Sequence, residues 1–413
     1  MNTQYQQPRP SGRKKTGKVV IVLATVLVAA VAVTAAALTR SDISGRAVKA
    51  TTPEDTAPPA KNVLVQKIES GPLNYGSTPA FDACAVLPRT GLARVGFPED
   101  TINYRELTYL PTTVPATVSK VSELNPMTTC GYWINAKDAD DAYVVLDIAQ
   151  RPFNELRVRH RGDEERVSSG LKVSTRREGD QFFSEIGNED STFFARLDMG
   201  RITSDVNGVP AHQVFANLVD LAAAKLAKGP DSHSSYAFTG RYEGIPFACD
   251  VLTAELFTEL TGKQDSGLVV TTETRAHEAS RDYPGLGTLQ AVEQECGRGS
   301  TDRYGNSDQS RTLRVKFETF RTEQQARDAH AWGCDPQNPA GAILGEPVPV
   351  DKPIGDGKPC VRPVGYLNYV FLVGRTEVSM MPNEAWAGAD PDSFAREFAP
   401  TATTLADHVR RAF

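Results

Sequence analysis

The chain is poor in the residues that do chemistry. It holds six histidines and six cysteines in 413 residues. No histidine pair has i, i+4 spacing, and neither H-E-x-x-H nor C-x-x-C occurs, so the ligand spacings of zinc sites are missing and no metal is expected. Asp231-Ser232-His233-Ser234 contains the residue types of a catalytic triad. They are contiguous, however, and triads are assembled in space from separate rigid elements. Gly285-Leu286-Gly287 lacks the third glycine of a phosphate-binding loop. Basic residues are outnumbered: 45 Lys and Arg face 51 Asp and Glu for a formal net charge of −6, and Arg9, Arg13, Lys14, Lys15 and Lys18 place five of the positive charges in the tail, so the rest is more acidic still. The acidic remainder excludes nucleic acid and anionic lipid as main partners. No catalytic residue and no cofactor is expected.

What is present begins with an apolar run. Residues 19–38 carry no charge and no glycine, and only Thr25 and Thr34 interrupt Val, Ala, Leu and Ile. A helix of that length spans about 30 Å, the thickness of a bilayer's hydrocarbon core. The preceding residues 1–18 are basic, which places that side in the cytoplasm and everything after the helix outside. The alternative is a cleaved signal peptide with Ala35-Ala36-Ala37 as its site. The apolar run exceeds the ~7–15 residues usual for that, so a retained single-pass anchor is expected. No cysteine follows the run closely enough for lipid attachment. The absence of glycine also removes a G-x-x-x-G dimer face. Residues 39–72, rich in Thr and Pro, read as a disordered linker.

Two copies of one pattern follow. Tyr75-x-x-x-Pro79 precedes Cys84, and Tyr242-x-x-x-Pro246 precedes Cys249. At nearly the same spacing come Cys130-Gly131 and Cys296-Gly297. Alternating strands follow at Tyr143-Val144-Val145-Leu146-Asp147-Ile148 and Leu313-Arg314-Val315-Lys316-Phe317-Glu318. Leu197-Asp198-Met199-Gly200-Arg201 then matches Phe371-Leu372-Val373-Gly374-Arg375. Pro210 and Pro400 are each expected to open a terminal helix, since proline fits the first turn. The expected fold is α+β, with two duplicated domains over 73–228 and 241–413, each with an antiparallel sheet and a C-terminal helix, joined by a linker over 229–240. The second copy adds a helix over 322–332, with Glu323, Arg327 and His330 on its polar side.

An even cysteine count in an exported chain suits disulfides. Repeat logic pairs Cys84 with Cys130, Cys249 with Cys296, and Cys334 with Cys360, as staples rather than nucleophiles. Asp138, Asp140 and Asp141, and the trio Asp302, Asn306 and Asp308, are acidic turns without a full calcium-loop spacing. Trp133 and Trp332 read as core. Trp386, Arg201 and Arg375 are the candidate ligand contacts.

The boxes Cys84-Ala85-Val86-Leu87, Cys249-Asp250-Val251-Leu252 and Cys130-Gly131-Tyr132-Trp133 resemble those of a family of actinobacterial cell-envelope proteins. That family carries a domain of unknown function, commonly as lipoproteins. The resemblance covers residues 75–228 and 241–413 and implies a secreted α+β domain. The function expected is a non-enzymatic, membrane-anchored extracytoplasmic protein binding an envelope protein or cell-wall component. A small-molecule sensor or carrier is the alternative, and a hydrolase with a non-local site is a more distant one.

Overall fold

The computed structural model describes residues 57–75, 78–109, 128–136, 139–151, 163–187, 192–202, 205–300, 312–337, 345–364, 366–382 and 390–413. The expected anchor at 19–38 lies outside them. Among the described residues no helix is long and apolar enough to cross a membrane.

Strands β1 (Leu64–Ser70), β2 (Leu73–Tyr75) and β3 (Thr78–Ala80) precede helices α1 (Ala83–Val86) and α2 (Arg89–Arg94). Then come β4 (Ile102–Tyr109), β5 (Thr128–Ala136), β6 (Ala139–Gln150), β7 (Glu164–Ser168), β8 (Leu171–Glu178), β9 (Gln181–Gly187), β10 (Phe193–Gly200) and helix α3 (Ala211–Leu226). The second half runs β11 (Ser232–Phe238), α4 (Ala248–Val251), α5 (Ala254–Thr261), β12 (Asp265–Thr274), β13 (Ala279–Tyr283), β14 (Gly287–Ser300) and β15 (Thr312–Phe320). It closes with α6 (Glu323–Gly333), β16 (Val348–Pro349), β17 (Cys360–Val364), β18 (Tyr366–Val373), β19 (Thr376–Pro382) and α7 (Pro391–Ala412). The protein is mixed α+β and dominated by its sheet.

One fifteen-stranded sheet runs β16-β17-β18-β19-β15-β14-β12-β4-β5-β6-β10-β9-β8-β7, with β13 paired to β14 off that path. Every ladder along it is antiparallel. Read outward from the β4–β12 junction, the two arms have one plan: three strands in chain order, then the last strand, then its predecessors in reverse. Strands β1 and β11, which precede the two arms, pair with each other in a separate ribbon.

Alternation along each strand sends apolar side chains to one face. In the first arm Cys130, Leu146 and Leu197 stand opposite one another across β5, β6 and β10. Cys296, Val315 and Met380 do the same across β14, β15 and β19. Helix α3 lays Val214, Phe215, Leu218, Val219 and Ala222 into the first core, and α7 lays Phe394, Ala402, Leu405 and Val409 into the second. Disulfides Cys84–Cys130 and Cys249–Cys296 tie α1 to β5 and α4 to β14, and Cys334–Cys360 ties the end of α6 to β17. The expected pairing is the one observed.

Equivalent positions also bond alike. The side chains of Thr128 and Gln294, each two residues before the second cysteine, accept from Ala83 N at 3.2 Å and Ala248 N at 2.9 Å. Tyr132 and Arg298, two residues after it, donate to the carbonyls of Leu87 and Leu252, each at 2.5 Å. These side chains satisfy backbone groups that very short helices leave orphaned.

Several expectations are corrected. Residues 229–240 hold strand β11 rather than a linker, and the expected linker 39–72 is folded from residue 57, including all of β1. Residues 57–413 form one compact unit, because β4 and β12 join the arms edge to edge. Pro400 lies inside α7, which starts at Pro391 behind the Asp390 cap. The Gly-Arg match is displaced by one strand: Gly200 ends β10, whereas Gly374 and Arg375 form the turn between β18 and β19. In α6, Glu323 and Arg327 form an exposed i, i+4 pair at 3.1 Å, but His330 turns inward and is buried.

Candidate functional site

Opposite the two cores the sheet is polar around its centre, whereas in the second arm α6 covers it over a third apolar cluster that includes Ala291, Phe320, Ala326, Ala329 and Leu372. At its centre Arg105 on β4 stands across from Glu273 on β12 and pairs with it at 3.0 Å, both side chains partly exposed. The Arg105 guanidinium also lies over the ring of Trp133 on β5, 5.2 Å from its centroid. Trp133 is half-buried. It folds back over Gly131, where a Cβ would lie 3.1 Å from the ring. Two residue types that dominate binding hot spots thus stack where the arms meet.

In the second arm the same face carries a row of three carboxylates. Glu293, Glu318 and Glu377 stand directly opposite one another on β14, β15 and β19. Like charges in that register repel, and cations gather around them. Arg281 bridges Glu293 and Glu318, the latter at 3.2 Å. Arg275 and Lys316 reach Glu293 at 3.0 and 3.2 Å. Arg362 holds Glu377 through two bonds of 2.7 and 2.9 Å, and His330 Nδ1 lies 3.0 Å from the same carboxylate. Burial raises the Glu377 carboxyl, but Arg362 and His330 outweigh it and hold the group well below the usual range. Glu318 has fewer partners. Burial, aided by Glu377 and Glu293 and opposed by Arg281, pushes it up to about 7.

The far end of the first arm is simpler. Arg196 and Arg176 flank the Phe183 ring at 5.3 and 4.8 Å, and Arg196 pairs with Asp198 at 2.7 Å. A depression of about 230 Å³ lies over β7 and β8, lined by Glu165, Arg166, Val167, Lys172, Val173 and Ser174.

A second acidic group sits on the face that carries α1 and α3. Asp82, Cys84 and Glu106 place ligand-type atoms within 4.8 Å of one another, all buried. They do not fit a metal. Cys84 is spent in a disulfide, and Asp82 accepts from Cys84 N, Ala85 N, Ser234 N and Ser234 Oγ at 2.7, 3.2, 2.6 and 2.6 Å. Burial pushes Asp82 up against those four bonds. Burial first, and Asp82 second, push Glu106 well above the carboxylate range. The pair pins the β1–β11 ribbon onto α1.

Of the candidate ligand contacts, Trp386 lies outside the described residues, as do Asp138, Asp302, Asn306 and Asp308. Arg201 is exposed with φ of 60°, beyond a Gly200 whose Cβ would meet the Tyr143 ring at 2.5 Å. Arg375 is structural: it donates to Arg241 O at 2.8 Å and lies over the Tyr242 ring at 5.4 Å. The structure does not bring the two arginines together. Asp140 and Asp141 fall within β6, and Gly285 and Gly287 flank the β13–β14 turn with φ of 84° and 85°. His233 of the contiguous triad-like stretch faces Gly71 O at 2.8 Å, inside the ribbon. Sequence reading missed the glutamate row. Its one signal was a glutamate on each of β14, β15 and β19 at a position facing away from the core.

No family model matches the chain, and neither the curated proteins nor the solved structures provide a match.

Proposed function

We propose that the chain is a non-enzymatic interaction protein of the cell envelope, anchored by residues 19–38 with its folded part outside the cytoplasm. Its partner, an envelope protein or cell-wall component, docks on the polar face of the sheet. The observation that carries this reading is the Arg105–Trp133 stack at the β4–β12 junction. A half-buried tryptophan under a partly exposed arginine is an anchor for a flat surface. The disulfides suit an oxidising compartment, and the cysteine boxes resemble those of the actinobacterial envelope proteins. The shared plan of the arms, with equivalent disulfides and equivalent capping bonds, supports descent of both from one duplicated unit.

The test is crosslinking in native membranes. The wild-type chain is expected to capture one partner reproducibly, and Trp133→Ala and Arg105→Ala to lose at least tenfold of that yield while unfolding at the wild-type temperature. Equal capture by all three proteins would sink the assignment of the surface. No capture by any would sink the interaction reading.

A further inference from the structure

The three disulfides differ in surroundings. Cys84 and Cys130 are fully buried, with the carboxylates of Asp82 and Glu106 beside Cys84. Burial together with acidic neighbours disfavours a thiolate. The third bridge has the opposite setting. Cys334 caps the C-terminus of α6 and is half-buried, whereas its partner Cys360 is fully buried at the start of β17. One turn back, His330 places Nδ1 and Nε2 at 3.9 and 3.8 Å from the Cys334 Sγ. Both ring nitrogens thus lie near the sulfur. Arg362 Nη2 lies 3.8 Å from the same sulfur.

The ring's own bonds fix its orientation. Nε2 faces Lys358 O at 2.9 Å, and a carbonyl only accepts, so Nε2 carries a proton. Nδ1 faces Glu377, whose carboxylate already accepts from both terminal nitrogens of Arg362. Both ring nitrogens thus face acceptors. Arg362 also donates through Nε to Gly333 O at 3.0 Å, covering a carbonyl of the helix terminus that would otherwise oppose a thiolate. A side chain at Gly333 would displace that guanidinium, since its Cβ would lie 2.2 Å from Nη2. The groups facing His330 are Glu377, Arg362, the Lys358 carbonyl and Cys334, with Glu318 and Arg281 in the next row. Arg362, joined by His330 whenever that ring is protonated, offsets the one carboxylate of Glu377 beside the sulfur.

We propose that Cys334–Cys360 is a thiol-exchange site whose ligand is a low-molecular-weight thiol. The small thiolate attacks Sγ of Cys334, the less buried of the two cysteines, forming a new S–S bond as the Cys334–Cys360 bond breaks. Cys360 leaves as a thiolate and takes a proton from solvent. A second small thiolate attacks the sulfur of the first, releasing the oxidised small-molecule disulfide and Cys334 as a thiolate held between His330 and Arg362. Two electrons pass from the two thiols to the protein disulfide. Lowered thiol pKa beside cations, together with access, is what separates exchanging bridges from inert ones.

The test equilibrates the oxidised full chain in graded reduced and oxidised glutathione, quenches with acid, alkylates and maps peptides. The bridge at 334–360 is expected to open first, with the glutathione adduct on Cys334. In a Cys360→Ser variant, which leaves the other two bridges intact, ultraviolet thiolate absorption should place the Cys334 midpoint at least about one unit below the ordinary thiol value of ~8.5. Adding His330→Gln should move it back toward that value. Simultaneous opening of all three bridges, an adduct on Cys360, or a Cys334 midpoint near 8.5 that ignores His330→Gln would each overturn the proposal.

Discussion

Glu318 is the residue whose environment sets the clearest pH dependence. It stands between Glu293 and Glu377 in the cross-strand row, and its carboxyl is pushed up to about 7. An unfolded glutamate titrates near ~4.3. The folded state therefore binds the proton more tightly, so this group's stabilisation is complete below about pH 4.3 and is lost as pH rises through about 7. Glu318→Gln keeps the neutral form and an oxygen for Arg281. The wild type should lose thermal stability between pH 5 and 8 relative to the variant, and the variant should melt higher at pH 8. Parallel melting curves across that range would show that Glu318 ionises freely. Glu377, one strand away, behaves oppositely: its depressed titration contributes stability present above the ordinary glutamate range and lost as pH falls below it.

At the scale of elements, the strap before β1 is held by a fully buried ion pair. Arg321 donates to Glu278 through Nε at 2.9 Å and through Nη2, and reaches Ala57 O and Pro58 O at 2.7 and 2.8 Å. Glu278 also accepts from Tyr242 OH at 2.7 Å and Ala60 N at 2.5 Å. Removing one partner of a buried pair strands the other, so Arg321→Met should cost about 3–5 kcal/mol in urea unfolding. A loss under about 1 kcal/mol would mean that water enters and solvates Glu278. Elements such as this strap and β11 were hard to read because their sequences carry no apolar period. Ser232-His233-Ser234-Ser235 looks like a linker, and becomes a strand because β1 lies beside it and Asp82 takes Ser234's donors. The strands around Leu146 and Val315 were legible, since alternation is a local signal. Pro400 misled because a helix in contact with a core tolerates an internal proline that its sequence alone would place at the start.

On the scale of the whole molecule, the cysteine spacing exposed two comparable arms but not their joining. Edge-to-edge pairing of β4 with β12 adds main-chain bonds that leave no side-chain pattern. Trp386 stood out as an aromatic in a loop of small residues, and Arg201 and Arg375 as residues after matched glycines. The Arg105–Trp133 stack instead arises from register across separate strands, which a linear sequence does not display. Each arm alone would expose the β4 or β12 edge and one strand of the β1–β11 ribbon. Residues 57–230 expressed alone should therefore form dimers by light scattering, with β4 pairing to its own copy, whereas residues 57–413 should be monomeric. A stable monomer of the half-chain would show that the edge is closed by some other means.

The clamp at Arg321 also decides where mechanical load enters. A pull on the N-terminal tail does not first peel β1 from β11. It meets Pro58 and Ala57, held by Arg321 just beyond β15, so tension enters the second arm at that grip. The first arm, though nearer in sequence, is shielded until that grip is lost.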